Sequence, residues 1–553
     1  MKSYSDFNSV EELMEYYNIK PIKSTILEKQ TEEEAKELVN SDKDMDDPEK
    51  VANPDKLEVV YSDLKATPTN IFKHIIVFTN DRDSKNNKTL KNIEDAIKAL
   101  KDAKCEIIPE LHVFVAAEID ADEREEEIKI TDGDEKFTIK DESNVDTLIF
   151  SRLGVQDEDQ CEHIVQLLQD RGFLVLNPVK YSALACNKYD SAVLFEKGEI
   201  PQPNFCLMTK DILYDEKLYN EAMREVYPKW SDKDKDKNEE FTFVMKILDG
   251  HGGTGVAMCD GKKIYAILQM IFAIDPERQI LLQKKEEADG GDIRVHVLTL
   301  RDKQVILAKM KRVKLGGDFR SNVSLGAEAE PVELTPEQEQ IALKTAQLSK
   351  LPWCAVDIMP LVKGSNKELG DNVVLEINAS PGTDGISEVI KTNFVNVLLN
   401  ELDDPSSFFL QEKIAGFMES VTITFGDGVE KQFLAKLDTG NSTKASCLEV
   451  GEYVEKGKNI TFTVDGKKMT FEKTGEVKAI AGDKTYVRPT ITVPELKLGV
   501  RKLKNVPISI VKHRDNKKTN FLINRDVMSK LGYVINPNTA HILTDQMEKV
   551  KII

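Results

Sequence analysis

Two residues apart inside the apolar run 369-LGDNVVLEINASPGTDG-385 stand a carboxylate and a carboxamide, Glu376 and Asn378. Alternate residues of an extended chain share a face, so this pair points one way while Leu375 and Ile377 pack the other. Burying both polar groups without partners is costly. The strand therefore demands a neighbour that brings polar groups to the same face. The segment 353-WCAVDIMP-360 reads as that neighbour, a second apolar strand carrying one carboxylate, Asp357. Three oxygen ligands on adjacent strands suit Mg2+, which takes a few protein oxygens and leaves its other positions to water and phosphate. A buried hydrogen-bonded cluster is the other reading of the same residues.

Upstream, 241-FTFVMKILDGHGGTGVAMCDG-261 places Lys246 at the end of a β-rich run, followed by Gly250, Gly252, Gly253 and Gly255 and a second strand. It has neither the GK[ST] ending and helix of a Walker loop nor the GxGxxG of a dinucleotide fold. Such glycines let backbone N–H groups close over phosphate oxygens, with Lys246 as a point charge. A plain flexible hairpin is the competing reading. His251, in the same loop, is expected to have no role.

The rest of the chain falls into segments. Residues 1–70 are rich in Glu, Asp and Lys and read as an acidic, partly disordered arm with one short helix around Val10–Tyr17. Residues 71–182 alternate strands (HIIVFTN, CEIIPEL, LHVFVAAE, DTLIFSRLG) with the amphipathic TLKNIEDAIKALKDAKC, which predicts an α/β domain. The charged runs 120-DADEREEEIKITDGDEK-136 and 230-WSDKDKDKNEE-240 read as solvated insertions. Residues 183–402 carry the candidate chemistry. Residues 415–553 contain short strands and Gly turns without a long helical period, which predicts a small β domain.

A length of 553 residues with 40% hydrophobic content supports several cores at about 150 residues per domain. The net charge of −20 works against broad attraction to nucleic acid or anionic membrane. No apolar run approaches the roughly 18 residues that cross a bilayer, and no secretory leader is visible. Seven scattered cysteines without CxxC spacing read as reduced thiols, and the expected location is cytoplasmic.

The motifs NKYDSAVLFEKGEIPQPNF, MKILDGHGGTGV, ILLQKKEEADGGDIRVHVL, DFRSN, LTPEQEQIALKTAQLSKL, AVDIM and VLEINASPGTDGI follow one another over residues 181–400. In order and spacing they resemble ATP-grasp ligases of the RimK type, which attach glutamate to a protein C-terminus and whose relatives ligate amino acids to other peptides or carrier proteins. The resemblance implies an α/β (α+β) ATP-grasp fold behind a smaller α/β domain. It also implies ATP and Mg2+ as cofactors, with Mn2+ as a substitute, and an amino acid plus a peptide or protein acceptor as substrates.

By the same resemblance, Lys188, Lys246, Gly252, Gly253 and Gly255 contact nucleotide phosphates, and the hinge formed by Gln283, Lys284 and Lys285 receives adenine. Asp292 helps hold the nucleotide. Arg320, Ser321 and Asn322 surround the phosphates and the acyl phosphate, with Arg320 and Asn322 catalytic. Arg294 grips the incoming carboxylate, and Asp357, Glu376 and Asn378 hold Mg2+. Arg152, in FSRLG, lies near the substrate cleft. The family carries Glu and an aromatic residue where Lys284 and Lys285 stand, and here the segment to Asp292 is one residue shorter.

In the C-terminal part, 433-FLAKLDTGNSTKAS-446 leads an apolar strand into Asp438-Thr439-Gly440, and 519-TNFLINRDVMSKLGYVINP-537 supplies strand, turn and short helix. Together they resemble the retropepsin-like family labelled ATP-dependent zinc proteases, with Asn524 where that turn commonly has Gly. The resemblance implies a small β-barrel and a catalytic Asp438. An aspartic protease needs two carboxylates sharing a proton, so one DTG implies a homodimer. His513 and His541 offer no zinc-binding spacing. Three classes stay open: a ligase with an opposing hydrolase, a ligase with a recognition module, and a nucleotide-gated binding protein. A glutathione-synthetase-like small-molecule ligase rivals the protein-modifying one.

Overall fold

The β-branched and aromatic stretch His74–Thr79 forms the middle of a four-stranded parallel sheet. Glu110–Val115 flanks it on one side and Thr147–Ser151, then Leu174–Leu176, on the other. The computed structural model that shows this describes residues 58–544, apart from 117–118, 124–126, 134, 152–158, 232–234, 251–253, 302, 314–327, 365–368, 405–407, 409–412, 427, 465, 482–483 and 513–518. The Val10–Tyr17 helix, Arg152 and His513 lie outside the described residues.

The crossover helix Lys88–Asp102 buries Leu90, Ile93, Ile97 and Leu100 at helical spacing, and Asn87 caps it by accepting from the Leu90 N–H. Two expectations change here. CEIIPEL is not a strand: regular pairing starts only at Glu110, after Pro109, which has no N–H to give a ladder. The acidic run is not a bare solvated insertion either. Ile119–Glu123, Glu127–Asp132 and Glu135–Lys140 form an antiparallel three-stranded sheet. Its Ile119, Ile128, Ile130 and Ile139 are buried against Phe78 and Phe114. The charges alternate with these isoleucines, and their number masks the period of two.

Two sheets make up the central part. The first is antiparallel, in the order Val256–Asp260, Thr242–Ile247, Ile280–Lys284, Phe205–Met208. Helices Glu216–Val226 and Gly261–Ile274 pack Met223, Val226, Ile264, Leu268 and Phe272 onto it. The second runs Glu58–Tyr61, Lys303–Val313, Asp292–Thr299, Trp353–Pro360, Asn372–Asn378, with Glu328–Glu330 added to Lys303–Val313. Its Glu58–Tyr61 edge strand pairs parallel with Lys303–Val313, so the end of the expected arm belongs to a sheet. Helix Pro336–Ser349 covers this sheet behind a Thr335/Gln338 capping box.

The chain crosses from the first sheet to the second just before Asp292. There Gly291 sits at φ 130, and a Cβ on it would come 2.2 Å from the Arg312 carbonyl oxygen, so only glycine fits.

The C-terminal strands pair in the order Met418–Thr424, Glu430–Leu437, Phe521–Ile523, Ser446–Val450, Arg501–Lys512, Lys484–Leu498, Gly475–Ala481. The first of these also pairs with Lys484–Leu498. The strands are not all short: the Lys484–Leu498 and Arg501–Lys512 hairpin has arms of 15 and 12 residues. All described elements belong to one compact unit, Leu57–Ile553. Buried Arg501 helps join its parts, donating to the carbonyls of Leu531 and, at 3.4 Å, Gln169.

Candidate functional site

The register of the larger sheet decides which charges meet. Asp357 stands opposite Glu376 on one side and opposite Arg294 on the other, while Asp292 faces Arg312. The ladder shifts beside Asp357, leaving Leu375 without an opposite number, and Glu376 and Asn378 share a face as the alternation predicts.

Asp357 is fully buried, and its two oxygens receive four donors. Arg294 Nε and Nη2 each donate at 2.7 Å, Arg312 Nη2 at 2.7 Å, and Asn378 Nδ2 at 3.3 Å. Arg312 also donates through Nε to Asp292 at 2.6 Å. Burial alone would raise the Asp357 pKa, but the two guanidiniums outweigh it and hold the carboxyl well below the usual range. Burial likewise works against the Arg312 charge, and Asp357 and Asp292 overcome it.

Two of the expected site residues meet protein partners here. Arg294, expected to grip an incoming carboxylate, donates through Nε and Nη2 to Asp357. Asp292, expected to help hold the nucleotide, is 4% exposed and paired with Arg312. Of the two Asp357 oxygens, Oδ2 takes three of these donors and Oδ1 only Arg294 Nε, so Oδ1 is the oxygen with acceptor capacity to spare. The oxygens that could face Mg2+ are those of Glu376, whose side chain is 37% exposed, the Oδ1 of Asn378 and the Oδ1 of Asp357. This oxygen set fits an ion that draws its other ligands from phosphate and water.

Beside these oxygens stand two lysines, one from the smaller sheet and one from a helix packed on the larger sheet. Lys246 ends the buried face of Thr242–Ile247 and is 9% exposed, and its ammonium has no hydrogen bond or ion pair among the described residues. Burial pulls its pKa down to about 8, opposed by the negative charge of Glu376 and reinforced by Lys188. Lys188, first residue of the Lys188–Lys197 helix capped by Asn187, donates through Nζ to the Gly250 carbonyl. Its pKa is lowered too, again by burial first, with Glu376 opposing.

After Lys246 the loop turns back through Gly255, at φ 74, where a Cβ would meet Ile247 Cγ1 at 2.2 Å. His251, Gly252 and Gly253 lie outside the described residues, as do Arg320, Ser321 and Asn322. Gln283 is buried in the smaller sheet, opposite Val244 and Phe205. Lys284 pairs with Glu286 at 2.9 Å, and Lys285 is exposed.

Two contributors escaped the sequence reading. Arg312 is the hub of the ion cluster; folding 292–313 as a hairpin would have placed it opposite Asp292. Asn177, fully buried after Leu174–Leu176, accepts from the Trp353 N–H at 3.0 Å and donates to the carbonyls of Trp353 and Ala379. It clamps the strands that carry Asp357 and Asn378. Nothing in the local sequence announces this.

In the C-terminal part, Asp438 follows Glu430–Leu437. Its N–H donates to the Ile523 carbonyl at 2.9 Å, and its Oδ1 accepts from the Gly440 N–H at 3.2 Å. Thr439 and Gly440 are exposed. Asn524 is buried at φ −79, caps Arg525–Lys530 and binds Ser446 and Thr443, so the site requires a side chain that glycine lacks.

Residues 185–402 match the family model of the RimK-like ATP-grasp domain. A probable alpha-L-glutamate ligase of Thioalkalivibrio sulfidiphilus is 37% identical over 145 residues, 26% of this chain and 44% of the relative. One from Maridesulfovibrio salexigens is 34% identical over 161 residues, 29% of this chain and 50% of the relative. The chain thus spans about half the length of these curated relatives. Among solved structures, the ATP-grasp ligase PsnB complexed with minimal precursor aligns at 16% identity and a TM-score of 0.41, covering 60% of this chain and 99% of that one. D-alanyl-alanine synthetase A from Vibrio cholerae aligns at 14% identity and 0.41, covering 60% and 94%.

Proposed function

We propose that the chain is an ATP- and Mg2+-dependent carboxylate–amine ligase that adds glutamate or another amino acid to a peptide or protein. The observation that carries this reading is Lys246, a buried ammonium without a partner among the described residues, next to Lys188 and Glu376. A buried cation of that kind calls for an anion, and a polyphosphate held between two lysines and a carboxylate-bound Mg2+ answers the demand. Bound there, Mg2+ would be held by Glu376, Asn378 and the Oδ1 of Asp357 and would have phosphate charge to neutralise.

The protein's part is alignment and charge stabilisation; the pattern contains no side-chain nucleophile and the chemistry requires none. A substrate carboxylate becomes an acyl phosphate, and an amine then attacks the acyl carbon and expels phosphate. The match to the RimK-like model and the glutamate-ligase relatives favour glutamate as the added amino acid. The test is to incubate the purified chain with ATP, Mg2+ and each amino acid, with candidate peptides as acceptors, and read product masses. ADP with a mass gain of one residue supports the reading; ATP consumption without any mass gain contradicts it.

The retropepsin-like reading of residues 415–553 belongs to the same proposal. Asp438 leads a short turn onto the surface, with Asn524 fixing the helix below. A cleaving site then requires two copies of the chain, so the reading includes a homodimer in a cytoplasmic setting that trims what the ligase extends. A recognition module on the same fold is the alternative.

A further inference from the structure

Away from the ligase site, three side chains converge on one face of the parallel sheet. His74 opens the strand His74–Thr79 and stands in register with Glu110, which opens Glu110–Val115. His112 follows two residues later, so it shares the Glu110 face. Nδ1 of His74 lies 3.7 Å from Glu110 Oε2, and Nε2 of His112 lies 3.8 Å from the same oxygen. All three ligand atoms fall within 4.8 Å of one another. Both imidazole nitrogens are buried and without a hydrogen-bond partner, and His112 as a whole is 5% exposed.

We propose that His74, Glu110 and His112 form a binding site for a divalent metal of the zinc class. Two imidazoles and a carboxylate are a donor set that zinc accepts, at bonds of about 2 Å that put tetrahedral ligands about 3.4 Å apart. The exposed Glu110 side chain can swing to close that gap. The far side of His112 is prepared as well. Its Nδ1 faces Glu135 Oε1 at 3.9 Å, the arrangement in which a carboxylate orients a metal-bound imidazole. The Phe137 ring stacks on His112 with centroids 3.7 Å apart and shields it from water. Burial lowers the His112 pKa, with Glu110 opposing and His74 acting the same way as burial.

The site sits at the amino ends of parallel strands, whereas α/β sheets hold substrates beyond the carboxyl ends. The metal therefore ties two strands and the Glu135–Lys140 strand together, and is separate from the Mg2+ of the ligase.

The test uses the full chain, stripped with a chelator and kept free of nucleotide, titrated with Co2+ alone. The expected result is a single site with four-coordinate d–d bands and no thiolate charge transfer, displaced by Zn2+. Binding should weaken at least about tenfold in Glu135→Gln and vanish in His74→Gln and Glu110→Gln. Both substitutions lie on accessible side chains, and circular dichroism checks that the fold is kept. Binding should persist in Glu376→Ala. Absence of Co2+ binding, binding that survives both His74→Gln and Glu110→Gln, or binding that disappears with Glu376→Ala would each overturn the proposal.

Discussion

Asp357 and Glu376 stand opposite one another on adjacent antiparallel strands, yet the first is sealed under two guanidiniums while the second keeps a side chain 37% exposed. The fold gives the pair a division of labour. Asp357 holds the site's architecture, and Glu376 faces whatever enters it.

That division predicts different phenotypes. Glu376→Ala removes a partly exposed carboxylate that approaches the Arg294 guanidinium only to 4.0 Å, so stability should change little while ATP-dependent turnover is lost. Asp357→Asn takes the bidentate carboxylate from Arg294 and leaves Arg312 with Asp292 alone, and should destabilise by about 3–5 kcal/mol. Chemical denaturation beside an ADP-release assay separates the two.

Lys246→Met keeps the stem and deletes the charge. Nucleotide affinity by calorimetry should fall by about tenfold or more, the scale of one charge-assisted contact of roughly 1.5–3 kcal/mol.

The same lysine sets a pH dependence. Its pKa is lowered to about 8 by burial, so the ammonium is present below that pH and is lost as pH rises through it. Nucleotide affinity should decline between about pH 7 and 9, with proton uptake on binding in the upper part of the range. Lys246→Arg, always charged, should flatten the profile. An unchanged slope in that variant would assign the decline to another group.

Gly291→Ala tests the crossing between the two sheets. The φ of 130 and the 2.2 Å approach of its Cβ to the Arg312 carbonyl strain any side chain, so a loss of about 1–3 kcal/mol is expected in thermal unfolding.

What was legible in the sequence followed short-range periodicity. Alternation alone put Glu376 and Asn378 on one face, and the glycine loop marked the turn after Lys246. The ion cluster was not legible, because Arg312 and Asp357 are 45 residues apart and meet only through the strand order and a register shift at His296/Val297. The sheet inside the acidic run was hidden for a different reason: its four buried isoleucines are outnumbered by charge, and only pairing with Phe78 and Phe114 makes their alternation count.

The account's central claim is an acyl phosphate formed from a substrate carboxylate at the expense of ATP. Labelling that carboxylate with 18O in the substrate pair identified by mass, and reading the released phosphate by 31P NMR, tests it most directly. Attack of the amine on the acyl carbon leaves the carboxylate oxygen on phosphorus, so the account predicts phosphate carrying a single 18O for each bond made. Unlabelled phosphate, or AMP in place of ADP, would contradict it.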